Sequence, residues 1–156
     1  MAQRHRSLIP LARDHYEGLL LVQQLRESDR AIMVGWPSSV SDRGQFVVRF
    51  YDEHLKKHFD VEEKALFPPA AEYLDQARGV VAELLAEHRV IEQFIARFRS
   101  GGEPQIAESL LEFGSILERH IRKEDRVLFP LIEEFASPEI LDRIEQSIDP
   151  MHGHHE

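Results

Sequence analysis

Two segments of the chain carry the same pattern of chemistry-bearing residues. His58-Phe59-Asp60-Val61-Glu62-Glu63-Lys64-Ala65-Leu66-Phe67-Pro68 and His120-Ile121-Arg122-Lys123-Glu124-Asp125-Arg126-Val127-Leu128-Phe129-Pro130 both read H-x-x-x-E-(D/E)-x-x-L-F-P. Asp14-His15 and Glu87-His88 form a shorter echo of each other. A histidine and a glutamate four residues apart share one helix face, one turn apart. On an apolar face an unpartnered glutamate is costly, and a histidine needs at least a hydrogen bond. Multivalent metal ions meet both needs, since carboxylates stay ionised beside them and imidazoles coordinate while neutral.

Taken singly, each feature has a plainer explanation. One H-x-x-x-E on a helix is usually a surface pair, and one histidine on an apolar stripe is more often a satisfied core residue. Here all four long apolar stripes carry a histidine (His15, His58, His88 and His120). Three of them add a glutamate four residues later: Glu62, Glu92 and Glu124. Independent surface pairs rarely fall that way, so the pattern points to metal binding. Cysteine is absent, which excludes thiolate sites, iron–sulfur clusters and disulfides and leaves imidazole and carboxylate, ligands suited to iron, manganese or zinc.

The elements that must position these residues are helices. Leu8, Leu11, Ala12, His15, Leu19, Val22 and Leu25 recur at spacings of three and four, predicting a first helix from Pro10 to about Ser28. A loop around Gly35-Trp36-Pro37-Ser38 follows. The second helix starts after Ser39 or Ser41 and stops at Pro68-Pro69; its stripe is Val47, Phe50, Tyr51, His54, His58, Val61, Glu62 and Ala65. The third runs from about Asp75 to Ser100, with Val81, Leu84, Leu85, His88, Ile91, Glu92, Ile95 and Phe98 inward and Gly101-Gly102 ending it. The fourth opens at Pro104 and runs towards Pro130, with Ile106, Leu110, Phe113, Leu117, His120, Glu124 and Val127 inward.

Ser137-Pro138 marks a short fifth helix ending near Ile148. No stretch alternates as a strand would. The expectation is an all-α, antiparallel up-down-up-down four-helix bundle over residues 1–148, with a flexible His-rich tail over 149–156. Antiparallel pairing puts the four histidines within about a turn of each other in depth.

With 156 residues, 42% apolar and 30% charged, the chain has the composition of one globular domain. A formal charge of −9 argues against nucleic acid as a partner. No apolar run is long enough for a membrane span and no signal peptide is recognisable, so the expected compartment is the cytoplasm.

These residues resemble the hemerythrin-like proteins, the HHE cation-binding domain, from about Leu8 to Glu134. The resemblance rests on His15, the doubled H-x-x-x-E-(D/E)-x-x-L-F-P and His88. It implies a non-haem di-iron centre, oxo- or hydroxo-bridged, with zinc or manganese as less favoured occupants. His15 and His58 would serve one iron and His88 and His120 the other, with Glu62 and Glu124 bridging. It also implies small ligands such as dioxygen, nitric oxide or peroxide, bound for carriage, storage or sensing. A redox enzyme consuming peroxide or reducing nitric oxide or oxygen is the alternative.

The chain departs from the oxygen carriers of that family at two places. Their second histidine on the third helix is replaced by Glu92, the expected seventh ligand. Their aspartate five residues after the fourth-helix histidine gives way to Glu124, four residues after His120. An anion in place of imidazole favours the ferric state, which counts against reversible oxygen carriage. His54, one turn before His58, is open to three roles: hydrogen-bond partner of a ligand, core or rim residue, or ligand. A ferritin-like centre would need Glu-x-x-His on two helices, and no glutamate here has a histidine three residues later. The zinc signature H-E-x-x-H is also missing.

Overall fold

In the computed structural model, which describes residues 3–101 and 106–153, the periodic stripes form five helices. Helix α1 is Ile9–Arg26, with Pro10 in its first turn, where an amide N–H would have no helical acceptor. Helix α2 covers residues 40–73 and α4 covers 106–135; both are continuous but mix α-helical and π-helical turns. Between them a 3-10 turn, Asp75–Ala77, leads into α3, Arg78–Ser100, and Gly101 closes it at φ +74°, a conformation glycine adopts without strain. Helix α5 is Pro138–His152.

Helices α1 to α4 make the bundle, with α1 packed along α4, α3 against α2 and α4, and α5 against the C-terminal half of α2. The closeness of α1 and α4 depends on missing side chains: a Cβ on Gly114 would stand 3.3 Å from Leu25 Cδ1. Two apolar clusters fill the interior. One holds Leu21, Leu25, Val47, Phe98, Phe113 and Leu117, and the other holds Leu8, Leu66, Leu84, Phe129 and Ile144. Along every bundle helix the histidine falls where the chain passes from one cluster to the other. Among the described residues no strand occurs, and no helix is long and apolar enough to cross a membrane.

The π-turns are where the structure departs from simple periodicity. They lie at Tyr51–Leu55, Glu62–Leu66 and Glu124–Leu128. Phe67 N–H reaches back to Glu62 O, and Phe129 N–H to Glu124 O, five residues instead of four. Pro68 and Pro130 follow directly. A proline offers no amide to the carbonyl four residues earlier and crowds it, and a wider turn just ahead relieves both problems. Helix α2 therefore passes through Pro68-Pro69, where a stop was expected, and continues to Tyr73, while α4 likewise outruns Pro130 and ends at Phe135.

Each extra residue also rotates the turns beyond it. Val127, expected inward, is exposed, and Leu128 is fully buried in its place. His54, on the expected stripe of α2, is likewise exposed, while Leu55 turns in.

Ser137 caps α5, its Oγ accepting from Ile140 N at 3.2 Å. Ser137→Ala is expected to lower stability by about 1 kcal/mol, read from urea unfolding midpoints at unchanged slope. The helix runs past Ile148 to His152, with Pro150 in its last turns, so residues 149–152 are ordered helix and not the start of a loose tail. Gly102, Pro104 and residues 154–156, assigned above to a helix end, a helix start and the tail, lie outside the described residues.

Candidate metal centre

Each bundle helix delivers one histidine to a polar layer between the two apolar clusters, and α2 and α4 each add a glutamate. His15, His58, His88, His120, Glu62 and Glu124 are all buried, with His88 and both glutamates at 0% exposure. Their ligand atoms fall into two groups, each within 4.8 Å: His15, His58, Glu62 and Glu124, then Glu62, His88, His120 and Glu124. Both glutamates belong to both groups. His15 Nε2 lies 2.7 Å from Glu124 Oε1 and His88 Nε2 lies 3.0 Å from Glu62 Oε1. His58 Nε2 is 3.1 Å from Glu62 Oε2, and His120 Nε2 is 3.2 Å from Glu124 Oε2.

Those last four atoms, one pair from each H-x-x-x-E, are buried without a hydrogen-bond partner in acceptable geometry. Close contact without hydrogen bonding is what atoms converging on a common third centre display. Leaving such groups unsatisfied is expensive. A cation coordinated by imidazole nitrogen and carboxylate oxygen would satisfy them, and the donor set fits it.

A second layer of acids surrounds the first. Asp125 Oδ1 faces His15 Nδ1 at 2.8 Å, Asp14 Oδ2 faces His58 Nδ1 at 2.8 Å, Glu63 Oε2 faces His88 Nδ1 at 2.7 Å, and Glu87 Oε1 faces His120 Nδ1 at 2.9 Å. A carboxylate can only accept, so each Nδ1 carries the proton and each Nε2 is turned inward. This arrangement fixes the tautomer, orients the ring and makes the inner nitrogen a stronger donor to a metal. Three of the acids are themselves held from outside: Glu63 by Arg89 at 2.5 Å, Glu87 by Lys123 at 2.6 Å and Asp14 by His152 at 3.0 Å.

The layer follows the internal repeat. Asp14 and Glu87 each precede a ligand-position histidine, while Glu63 and Asp125 each follow a buried glutamate. Phenylalanines repeat too: Phe129 stacks on His15 at 5.7 Å between centroids, and Phe67 packs on His88 at 5.5 Å. Sequence reasoning saw the echo and the acidic position of the motif without giving these four acids a role. Their equivalence across the two copies was the available signal.

Electrostatics show how tightly the layer is balanced in the absence of a cation. Burial alone would lower His15, but hydrogen bonds to Asp125 and Glu124 outweigh it and raise the group to about 9. His58 and His120 are likewise lifted well above the ordinary histidine range, against burial, by Glu62, Glu124 and their outer acids. Burial would raise Glu62 and Glu124, yet the neighbouring imidazoles hold both below the usual carboxylate range. Protons on His15, His58 and His120 thus compete with metal for this layer.

Glu92 is not brought to this layer. Ile91 and Ile95 occupy the inward positions of α3, at 0% and 3% exposure, and Glu92 stands at the flank, paired with Arg89 at 2.7 Å. His54 is also outside both groups; its ring lies 4.9 Å from that of Phe50. Tyr51 is buried at the edge of the core, and burial with the nearby acids Glu92, Asp60, Asp52 and Glu63 raises its hydroxyl to about 12. Tyr16 is exposed.

The outer acids give a graded test. Glu87→Gln keeps the side-chain size but weakens the hold on His120 Nδ1, and metal affinity should fall about 10- to 100-fold without loss of fold. Competition against a chromophoric chelator measures it, and an unchanged affinity would show that the outer layer does not tune the site.

Among known proteins, the family model of the hemerythrin HHE cation-binding domain matches residues 5–132. No curated protein and no solved structure matches the chain.

Proposed function

Because the chain belongs to the hemerythrin HHE cation-binding domain family, we propose that it is a non-haem di-iron protein whose centre binds dioxygen, nitric oxide or peroxide. The observation that carries this reading is the sharing of Glu62 and Glu124 by two ligand groups. His15 and His58 would hold one iron, His88 and His120 the other, and the two glutamates would serve both. A pair of irons would supply redox chemistry, one electron from each ion, towards dioxygen, nitric oxide or peroxide.

The chain's own residues do the rest. Asp14, Glu63, Glu87 and Asp125 hold the Nδ1 protons, so the four Nε2 atoms stay turned to the centre. Phe59, Phe67 and Phe129, each within 1% of full burial, pack against the imidazoles and limit their movement. The sequence carries no motif for a dedicated general acid or a second cofactor, which favours a binding role over turnover.

Elemental analysis with an optical spectrum, on protein purified without chelator, tests the reading. About two irons per chain with near-ultraviolet charge-transfer absorption is the expected result; one zinc and no iron would break it. Peroxide consumption by wild type and His120→Ala separates binding from catalysis, since equal rates would rule out turnover at the centre.

A further inference from the structure

A cavity of about 390 Å³ adjoins the metal layer on the side of His15, His58 and His120. Protein interiors are normally packed without voids of this kind, and small-molecule sites occupy roughly 300–1,000 Å³. At about 30 Å³ for each water in the liquid, the space equals on the order of a dozen waters, far more than a diatomic gas or peroxide needs. Most of its lining surface is apolar, from Phe50, Leu55, Phe59, Leu117 and Ile121, with charged and imidazole side chains set among them.

Two features shape the cavity wall. The first is Gly18 on α1, where a Cβ would stand 2.7 Å from Ile121 Cδ1. Both residues line the cavity, so a side chain at position 18 would drive Ile121 into it. The second is the π-turn at Tyr51–Leu55, which turns Leu55 into the wall and leaves His54 at the rim beside Phe50. Such turns are frequent at functional sites, and this one has no proline to account for it.

We propose that this cavity binds a compact neutral aromatic molecule bearing a hydroxyl group. An aromatic body suits a lining that presents the rings of Phe50 and His54, with Phe59 set 5.7 Å edge-on from His120. An ionised body would lose its hydration against these walls. Among the carboxylates and amines of the lining, Asp14, Glu17 and Glu53 outnumber Lys57, which disfavours an anion. A hydroxyl finds a hydrogen-bonding group in His54 at the rim, and a carboxylate acceptor in Asp14, which also meets His58 and His152. The inference goes beyond the gas and peroxide ligands considered above and does not depend on iron being the metal.

Fluorine NMR titration with 4-fluorophenol tests it, on protein as purified and with metal content measured on the same sample. Saturable binding is expected, at least tenfold tighter than that of 4-fluorobenzoate, with cross-relaxation from the probe to the methyls of Leu117 and Ile121. Gly18→Ala and Leu117→Phe should each weaken 4-fluorophenol at least fivefold while helix content and metal content hold. Absence of saturable binding, equal affinity for the benzoate, or cross-relaxation only to residues outside the cavity would overturn the proposal. Two irons per chain with no 4-fluorophenol binding would defeat this inference alone. Binding by a chain that holds no iron would defeat only the di-iron reading.

Discussion

Glu124→Ala is expected to weaken metal binding at both positions by more than about 100-fold, beyond the range typical of outer-layer changes, whereas Glu92→Ala should leave metal content unchanged. The contrast follows from placement. Glu124 lies 2.7 Å from His15 Nε2, 3.2 Å from His120 Nε2 and 3.8 Å from His58 Nε2, so its carboxylate belongs to both ligand groups. Glu92 is turned to Arg89 at the flank of α3. Elemental analysis of the two purified variants, with circular dichroism to confirm that both fold, is the measurement. Retention of both ions by Glu124→Ala would show that the shared carboxylates do not hold them. Loss of metal from Glu92→Ala would restore the seventh ligand that the sequence suggested.

Metal removal should cost the fold a large share of its stability, and the cost should grow with pH. A ligand at about 1,000 times its dissociation constant adds about 4 kcal/mol, and for a chain of this length each kcal/mol moves Tm by about 2–4 °C. Chelation should therefore lower Tm by about 10 °C. In the metal-free protein His15, His58 and His120 are raised above their unfolded values. Their contribution is complete below the unfolded value near 6.5 and fades as pH rises, through about 9 for His15. With metal bound, the imidazoles are already neutral and this loss does not arise. The Tm gap between loaded and stripped protein should widen from pH 6.5 to pH 9. A gap that narrows over that range would contradict the proton balance derived for the site.

Much of this was legible in the residues. The apolar period placed the four bundle helices, and the doubled motif marked the two glutamates that the structure buries, because burial of an acid next to a histidine is a strong deviation from ordinary patterning. What escaped was local geometry. A strict 3.6 period cannot anticipate a π-turn, so His54 and Val127 were assigned to faces they do not occupy. Pro68 and Pro130 look like helix stops by type alone; that they follow widened turns depends on the ladder around them. The outer acids were missed for a different reason: Asp14, Glu63, Glu87 and Asp125 neighbour the inner residues in sequence, but their partners sit on other helices. Only packing reveals those pairings.

The partners of the histidines obey a rule with a bearing on how the molecule moves. The nearest acids to His58 and His120 come from their own hairpin, namely Asp14 with Glu62, and Glu87 with Glu124. His15 and His88 reach across instead, to Glu124 with Asp125 and to Glu62 with Glu63. The polar layer is thus a seam stitched in both directions, and neither half can complete it alone. Parting α1–α2 from α3–α4 would break both ligand groups at once, so metal retention and closure of the two halves are coupled. Bound metal should therefore slow amide exchange in the helix turns around both His15 and His88, not in one half alone.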